Sequence, residues 1–113
     1  IHQKNARLTR NAQSKFIIPT QEGAEVHAIY PGRIIFAEFL RGLKMLIIID
    51  HGGGYMSLYG NNEVLLKKTG DWVNVHEKIA IVGENYGKQN AGLYFELRKD
   101  GQALDLFKWI QQA

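Results

Sequence analysis

The sequence contains no cysteine among its 113 residues. That absence removes disulfides, thiolate metal ligands and cysteine nucleophiles together. It leaves the compartment open, because a cysteine-free domain suits the cytosol and the periplasm equally. No apolar run approaches the roughly 18 residues that a membrane-crossing helix needs. The longest, Met45-Leu46-Ile47-Ile48-Ile49, has the length of a strand. No internal repeat and no low-complexity stretch is present. Charge of one sign is also in short supply: 14 Lys and Arg against 11 Asp and Glu give a net charge of +3. Lys4, Arg7 and Arg10 lie near the start and the other basic residues are interleaved with acids. A nucleic-acid binder would gather its cations on one face and place aromatics among them, so the expectation is solvated surface charge and no nucleic-acid partner. The chain begins at Ile1 without an initiator Met or a signal-peptide pattern, and is expected to be a C-terminal piece of a longer protein whose targeting segment lies upstream.

What is present describes one β domain. Hydrophobic residues make up 45% and charged residues 22%, ordinary values for a chain with a single core. Residues 1–15 are polar and without period, a lead-in; 16–113 form the domain. Short runs rich in Ile, Val, Tyr and Phe cover Phe16 to Ile18, Val26 to Tyr30, Ile34 to Leu40 and Met45 to Ile49. They continue over Tyr55 to Tyr59, Val64 to Leu66, Ile79 to Val82 and Leu93 to Leu97. Turn signals separate them, among them Pro31-Gly32, Gly42, Gly52-Gly53-Gly54, Gly60-Asn61-Asn62, Gly70-Asp71 and Asp100-Gly101. Strands of this length and spacing predict an all-β sandwich or barrel. Only Leu104 to Ile110 reads as a short helical turn that packs back on the sheet.

Chemistry is hard to find in this pattern. The histidines are His2, His27, His51 and His76, and no two lie close enough in sequence to share a strand face or a helix turn as metal ligands do. His51 stands between a strand and three glycines, where it could orient catalysis; hydrogen bonding to the turn backbone is the favoured role. Ser14 and Ser57 lack the context of an activated nucleophile. The carboxylates are scattered singly. Gly52-Gly53-Gly54 joins two strands, with no Lys-Ser/Thr after it, and is not a phosphate loop. In Gly92-Leu93-Tyr94-Phe95-Glu96-Leu97-Arg98, alternation sends Leu93, Phe95 and Leu97 to the core and Tyr94, Glu96 and Arg98 to the other, solvent-side face. That face is either a recognition surface or simply a half-exposed Tyr beside an Arg stem.

The order of segments carries more. Glu22-Gly-Ala-Glu-Val26, Tyr30-Pro-Gly-Arg-Ile34, Ile49-Asp-His-Gly-Gly53, Ser57-Leu-Tyr59, Gly70-Asp-Trp-Val73, Ile79-Ala-Ile-Val-Gly83 and Leu93-Tyr-Phe-Glu-Leu-Arg98 together resemble the LytM domains of the M23 zinc metallopeptidase family, which cut peptidoglycan crosslinks. The resemblance runs from about Ser14 to Ile110 and implies a β-sheet sandwich with a long groove. Active members hold zinc through His-x-x-x-Asp and the second His of His-x-His. The first His of that pair, and another after the Tyr-containing strand, assist catalysis. Carried over position by position, the first motif falls on Gln13 and Ile17, the catalytic His on Asn61, and the pair on Gly92 and Tyr94. None retains the family's residue, so the resemblance implies a degenerate domain that binds no zinc and uses no cofactor.

Met56-Ser-Leu-Tyr-Gly60 together with Leu93 to Arg98 is similar to the murein hydrolase activators of this family. These non-catalytic domains act in the periplasm of Gram-negative bacteria and relieve the autoinhibition of zinc-dependent N-acetylmuramoyl-L-alanine amidases at cell division. Upstream segments link them to the division machinery. The resemblance implies that Ile17, Leu43, Leu46, Tyr94 and Arg98 line a vestigial groove, with Ser14, Lys15 and Asn61 at its rim, able to take the apolar face of a partner helix. His76, where Gly is usual, and Leu43-Lys44, where Tyr-Gly is common, depart from the pattern. The rivals are a peptidase with unorthodox ligands such as His51 and His76, a carrier domain of the biotinyl or lipoyl type using Lys44, and a peptidoglycan-binding module.

Overall fold

The computed structural model describes residues 9–11, 15–83 and 92–105. The strands are β1 (Thr9–Asn11), β2 (Lys15–Ile18), β3 (Glu25–His27), β4 (Gly32–Leu40), β5 (Lys44–Gly52), β6 (Tyr55–Leu65), β7 (Trp72–Val73), β8 (Lys78–Val82), β9 (Leu93–Lys99) and β10 (Gln102–Ala103). All pairings are antiparallel. The main path runs β1-β2-β9-β6-β5-β4-β7, β10 folds back on β9, and β8 joins β6 to β3. The expected all-β architecture is present.

Turn chemistry places the long central strands. Gly52, Gly53 and Gly54 all have positive φ, at 84°, 62° and 85°. Three consecutive left-handed residues are tolerable only for glycine, and they reverse the chain between β5 and β6. At the start of β4, a side chain on Gly32 would collide with the Asp50 carbonyl and the Ile49 side chain, so the close approach of β4 to β5 depends on its missing Cβ.

Alternation then sorts the two faces. One face of the main sheet sends Phe16, Ile34, Ile47, Ile49, Tyr59 and Phe95 into the core, where they meet Val26, Ala28, Ile79, Ala80 and Val82 from the β3–β8 side. Burying each large apolar side chain contributes about 1.5–3 kcal/mol, so this double layer holds the domain together. Leu93 and Leu97 pack against the same core, as their alternation predicts.

Four details differ from the sequence expectation. The runs Tyr55 to Tyr59 and Val64 to Leu66 are a single strand, because Gly60-Asn61-Asn62 bends β6 without ending it. Asn61 has φ 65°, and the Asn62 amide holds the bend by donating to the carbonyls of Met45 (3.1 Å) and Tyr59 (2.9 Å). Before the bend β6 pairs with β5 and β9; after it, with β8. Trp72–Val73, between turn signals, is a short strand beside Gly32 and Arg33. Thr9–Asn11, inside the polar lead-in, pairs with β2. Of the C-terminal stretch read as helical, Leu104 and Asp105 are irregular, and the remainder lies outside the described residues. No helix among the described residues is long and apolar enough to cross a membrane.

Candidate functional site

The face of the sheet opposite the core gathers the residues singled out by the resemblance. Ile17 in β2 lies directly across from Tyr94 in β9. Tyr94 is in turn across from Gly60 in β6. The bend in β6 presents Asn61, whose side-chain amide donates to the Gly92 carbonyl at 3.1 Å and whose backbone N–H donates to the Leu43 carbonyl at 2.6 Å. Ile17, Leu43, Asn61, Gly92 and Tyr94 therefore converge, although they come from four different segments. Leu46, next to the core residue Ile47 in β5, points to the same face as Tyr94. Lys15 opens β2. Gln13 and Ser14 lie outside the described residues.

Tyr94, Glu96 and Arg98 succeed one another on this face of β9. The Tyr94 hydroxyl donates to Glu96 Oε2, and Arg98 Nε donates to Glu96 Oε1 at 2.9 Å. The expectation of a solvent-side face fails here: Tyr94 is 7% exposed and Glu96 2%. The reason is that this face has its own packed floor, with Leu46 and Leu58 also buried, and Tyr94 settles over the side-chain-free Gly60. Burial, followed by the hydrogen bond to the Glu96 carboxylate, raises the Tyr94 pKa. The buried carboxylate is held by one cation and one neutral donor, the arrangement a buried charge needs. Ile17, Leu43, Asn61 and Arg98 are partly exposed, whereas Leu46 is 2% exposed and supports the floor from within.

The donor set does not suit the zinc ion that the family motif holds. Ile17 has no donor atom. Asn61 offers only a neutral amide, whose NH2 group donates to the Gly92 carbonyl, and the Tyr94 phenol is engaged with Glu96. Gly92 has φ 136°, and a Cβ there would collide with the Ile18 carbonyl. Among the described residues, no three His, Cys, Asp or Glu side chains are grouped to hold a metal ion.

Two of the described histidines, His51 and His27, bond the backbone. His51 Nδ1 donates to the Pro31 carbonyl at 2.8 Å, so Nε2 accepts from Ser57 Oγ at 2.6 Å. Ser57 Oγ accepts from the Tyr59 hydroxyl at 2.7 Å, which itself takes the Ile29 N–H at 3.2 Å. Burial raises the Tyr59 pKa. Ser57 is fully buried, so the relay ties strands and loop together and presents no nucleophile. His27 Nδ1 donates to the His76 carbonyl at 2.7 Å. Lys44 adjoins the β4–β5 turn and is half-buried, unlike the free hairpin-tip lysine of a carrier domain.

Sequence reasoning placed Glu96 on the face with Tyr94 and Arg98 but did not count it among the groove residues. Its i, i+2, i+4 spacing with Tyr94 and Arg98 was the available signal; its burial depends on strands far away in sequence.

The chain has known relatives. It is 42% identical over 94 residues to the murein hydrolase activator EnvC of Escherichia coli, covering 83% of this chain and 22% of that protein. It is 32% identical over 96 residues to the murein hydrolase activator NlpD of the same organism, covering 84% and 25%. The chain thus spans about a quarter of the length of these relatives. Among solved structures, a point mutant of the catalytic domain of the prophage-encoded M23 protein EnpA from Enterococcus faecalis superposes with a TM-score of 0.75 at 19% identity. That match covers 93% of this chain and 92% of the other. Residues 14–106 match the profile of Peptidase family M23, and with the order of segments and the sheet in agreement, the chain belongs to that family.

Proposed function

We propose that this domain is a non-catalytic activator of peptidoglycan hydrolases. It binds a zinc-dependent N-acetylmuramoyl-L-alanine amidase through the groove face and relieves the amidase's autoinhibition. The observation that carries this reading is the convergence of Ile17, Asn61, Gly92 and Tyr94, the residues onto which the resemblance carries the family's catalytic motif and whose side chains lack its histidines and aspartate. The names of the two Escherichia coli relatives, both murein hydrolase activators, support the role. They also support the envelope of a Gram-negative bacterium, on the periplasmic side, as the place of action.

The groove offers a partner apolar contact at Ile17 and Leu43 and a cation at Arg98. An amphipathic helix could lay its apolar face along the first two and place a carboxylate near the third. Glu96 holds Arg98 in position. The division machinery would be reached through other segments of a longer protein.

The test is amidase binding by Ile17→Glu and Leu43→Glu, each placing a charge in the apolar contact. Both variants should lose binding while keeping a cooperative unfolding transition. Normal binding and stimulation by folded variants would overturn the groove assignment.

A further inference from the structure

At the sheet end where β4 begins and β5 finishes, a cleft of about 590 Å³ is bordered by Tyr30, Arg33, Asp50, His51, Trp72 and Asn74, a volume within the range of small-molecule sites. Trp72 is 73% exposed and Tyr30 61%, an unusual placement for rings of this size. Neither is used by the groove described above.

Each ring has a neighbour within the cleft. Trp72, Arg33 and Asp50 lie in one row across three strands. The Arg33 guanidinium stands 5.9 Å from the Trp72 ring centroid. The flanking backbone is pinned by Ile34 N–H to the Asp71 carbonyl and Gly70 N–H to the Ile34 carbonyl, both 2.8 Å. Tyr30 meets His51 edge-on, with centroids 5.8 Å apart and planes at 69°, and His51 is itself fixed by Pro31 and Ser57. The Asp50 carboxylate is oriented by the Gly52 amide at 2.9 Å. The cleft is therefore bordered by two aromatic rings, an acid, an amide and a guanidinium.

This combination fits a saccharide. A pyranose ring has one C–H-rich face, which an electron-rich aromatic face attracts, and a rim of hydroxyls and amides that carboxylate, amide and guanidinium groups bind. A phosphate ligand is disfavoured by the Asp50 carboxylate, and a protein partner would favour a continuous apolar patch over rings separated by charges. We propose that the Tyr30–Trp72 cleft binds an amino-sugar glycan strand, so that the domain holds the cell-wall polymer at one end of the sheet while the groove engages the amidase. The identification of the glycan as murein rests on the function proposed above; the saccharide chemistry of the cleft does not.

The experiment is calorimetric titration of the 113-residue chain with peptide-free murein glycan strands, with chitotetraose and with cellotetraose. The first two should bind saturably and the third should not. Trp72→Ala and Tyr30→Ala should each weaken binding about tenfold or more, the size of one lost aromatic anchor, and Trp72→Phe should restore part of it. Leu43→Glu should bind glycan normally, and Trp72→Ala should bind amidase normally, so the two sites fail separately. Failure of both amino-sugar ligands to bind, unchanged binding in Trp72→Ala, or equal binding of cellotetraose would overturn the proposal.

Discussion

The Tyr94 hydroxyl donates to Glu96, two residues along the same strand, and both side chains are buried on the sheet face opposite the main core. With Arg98 on the other carboxylate oxygen, the three side chains form a closed polar unit. Tyr94→Phe would leave one oxygen of a buried carboxylate unpaired, and should cost about 1–3 kcal/mol in urea unfolding. An unchanged denaturation midpoint would mean that the hydroxyl contributes nothing to stability.

Two buried phenols set an alkaline limit. Tyr94 and Tyr59 both have pKa values raised above the ordinary 10.0 of a phenol. A raised folded-state pKa contributes stability that is present below the unfolded value and is lost as pH rises through the folded one. Absorbance titration should therefore show these two phenols ionising above pH 10.0, with melting temperature falling over that window. Tyr94→Phe should remove one of the two late-titrating groups.

Restoring a family motif should not restore a metal site. Gly92 has φ 136° and faces the Ile18 carbonyl where a Cβ would be. Gly92→His should destabilise the fold by about 1–3 kcal/mol through backbone strain, and Gly92→His combined with Tyr94→His should still purify without stoichiometric zinc. A stable, zinc-loaded double variant would contradict this reading of the β2–β9 geometry.

Acid should loosen the segment that carries Trp72. Asp71 has its pKa lowered by the Lys68 backbone N–H and then by the Lys68 ammonium; Glu77 has its pKa lowered by Lys67 and then by the Asn74 N–H. A depressed carboxylate contributes stability above its unfolded pKa, here 3.8 and 4.5, that is lost as pH falls through the folded value. The melting temperature should decline below about pH 4.5, and Asp71→Asn with Glu77→Gln should flatten that decline.

Much of this was legible in the sequence because it is local. Alternation in Leu93 to Arg98 assigned the faces, three consecutive glycines marked the β5–β6 reversal, and the ordered segments pointed to the family and to Ile17, Asn61, Gly92 and Tyr94. What escaped depends on partners remote in the chain. The bend at Gly60-Asn61-Asn62 looks like a turn until the Asn62 amide is seen bonded to Met45. Glu96 looks solvent-facing until Leu46 and Leu58 are seen packed on the same face. Trp72 and Tyr30 are 42 positions apart in sequence, and nothing local announces that they border one cleft.

The central claim is activation without catalysis. Its most direct measurement is the release of labelled fragments from purified peptidoglycan by three samples: the domain alone, an autoinhibited amidase alone, and the two together. Release from the mixture only is the predicted result. Release by the domain alone would contradict the claim, because it would require a hydrolytic centre in a chain whose converging site residues are Ile17, Asn61, Gly92 and Tyr94.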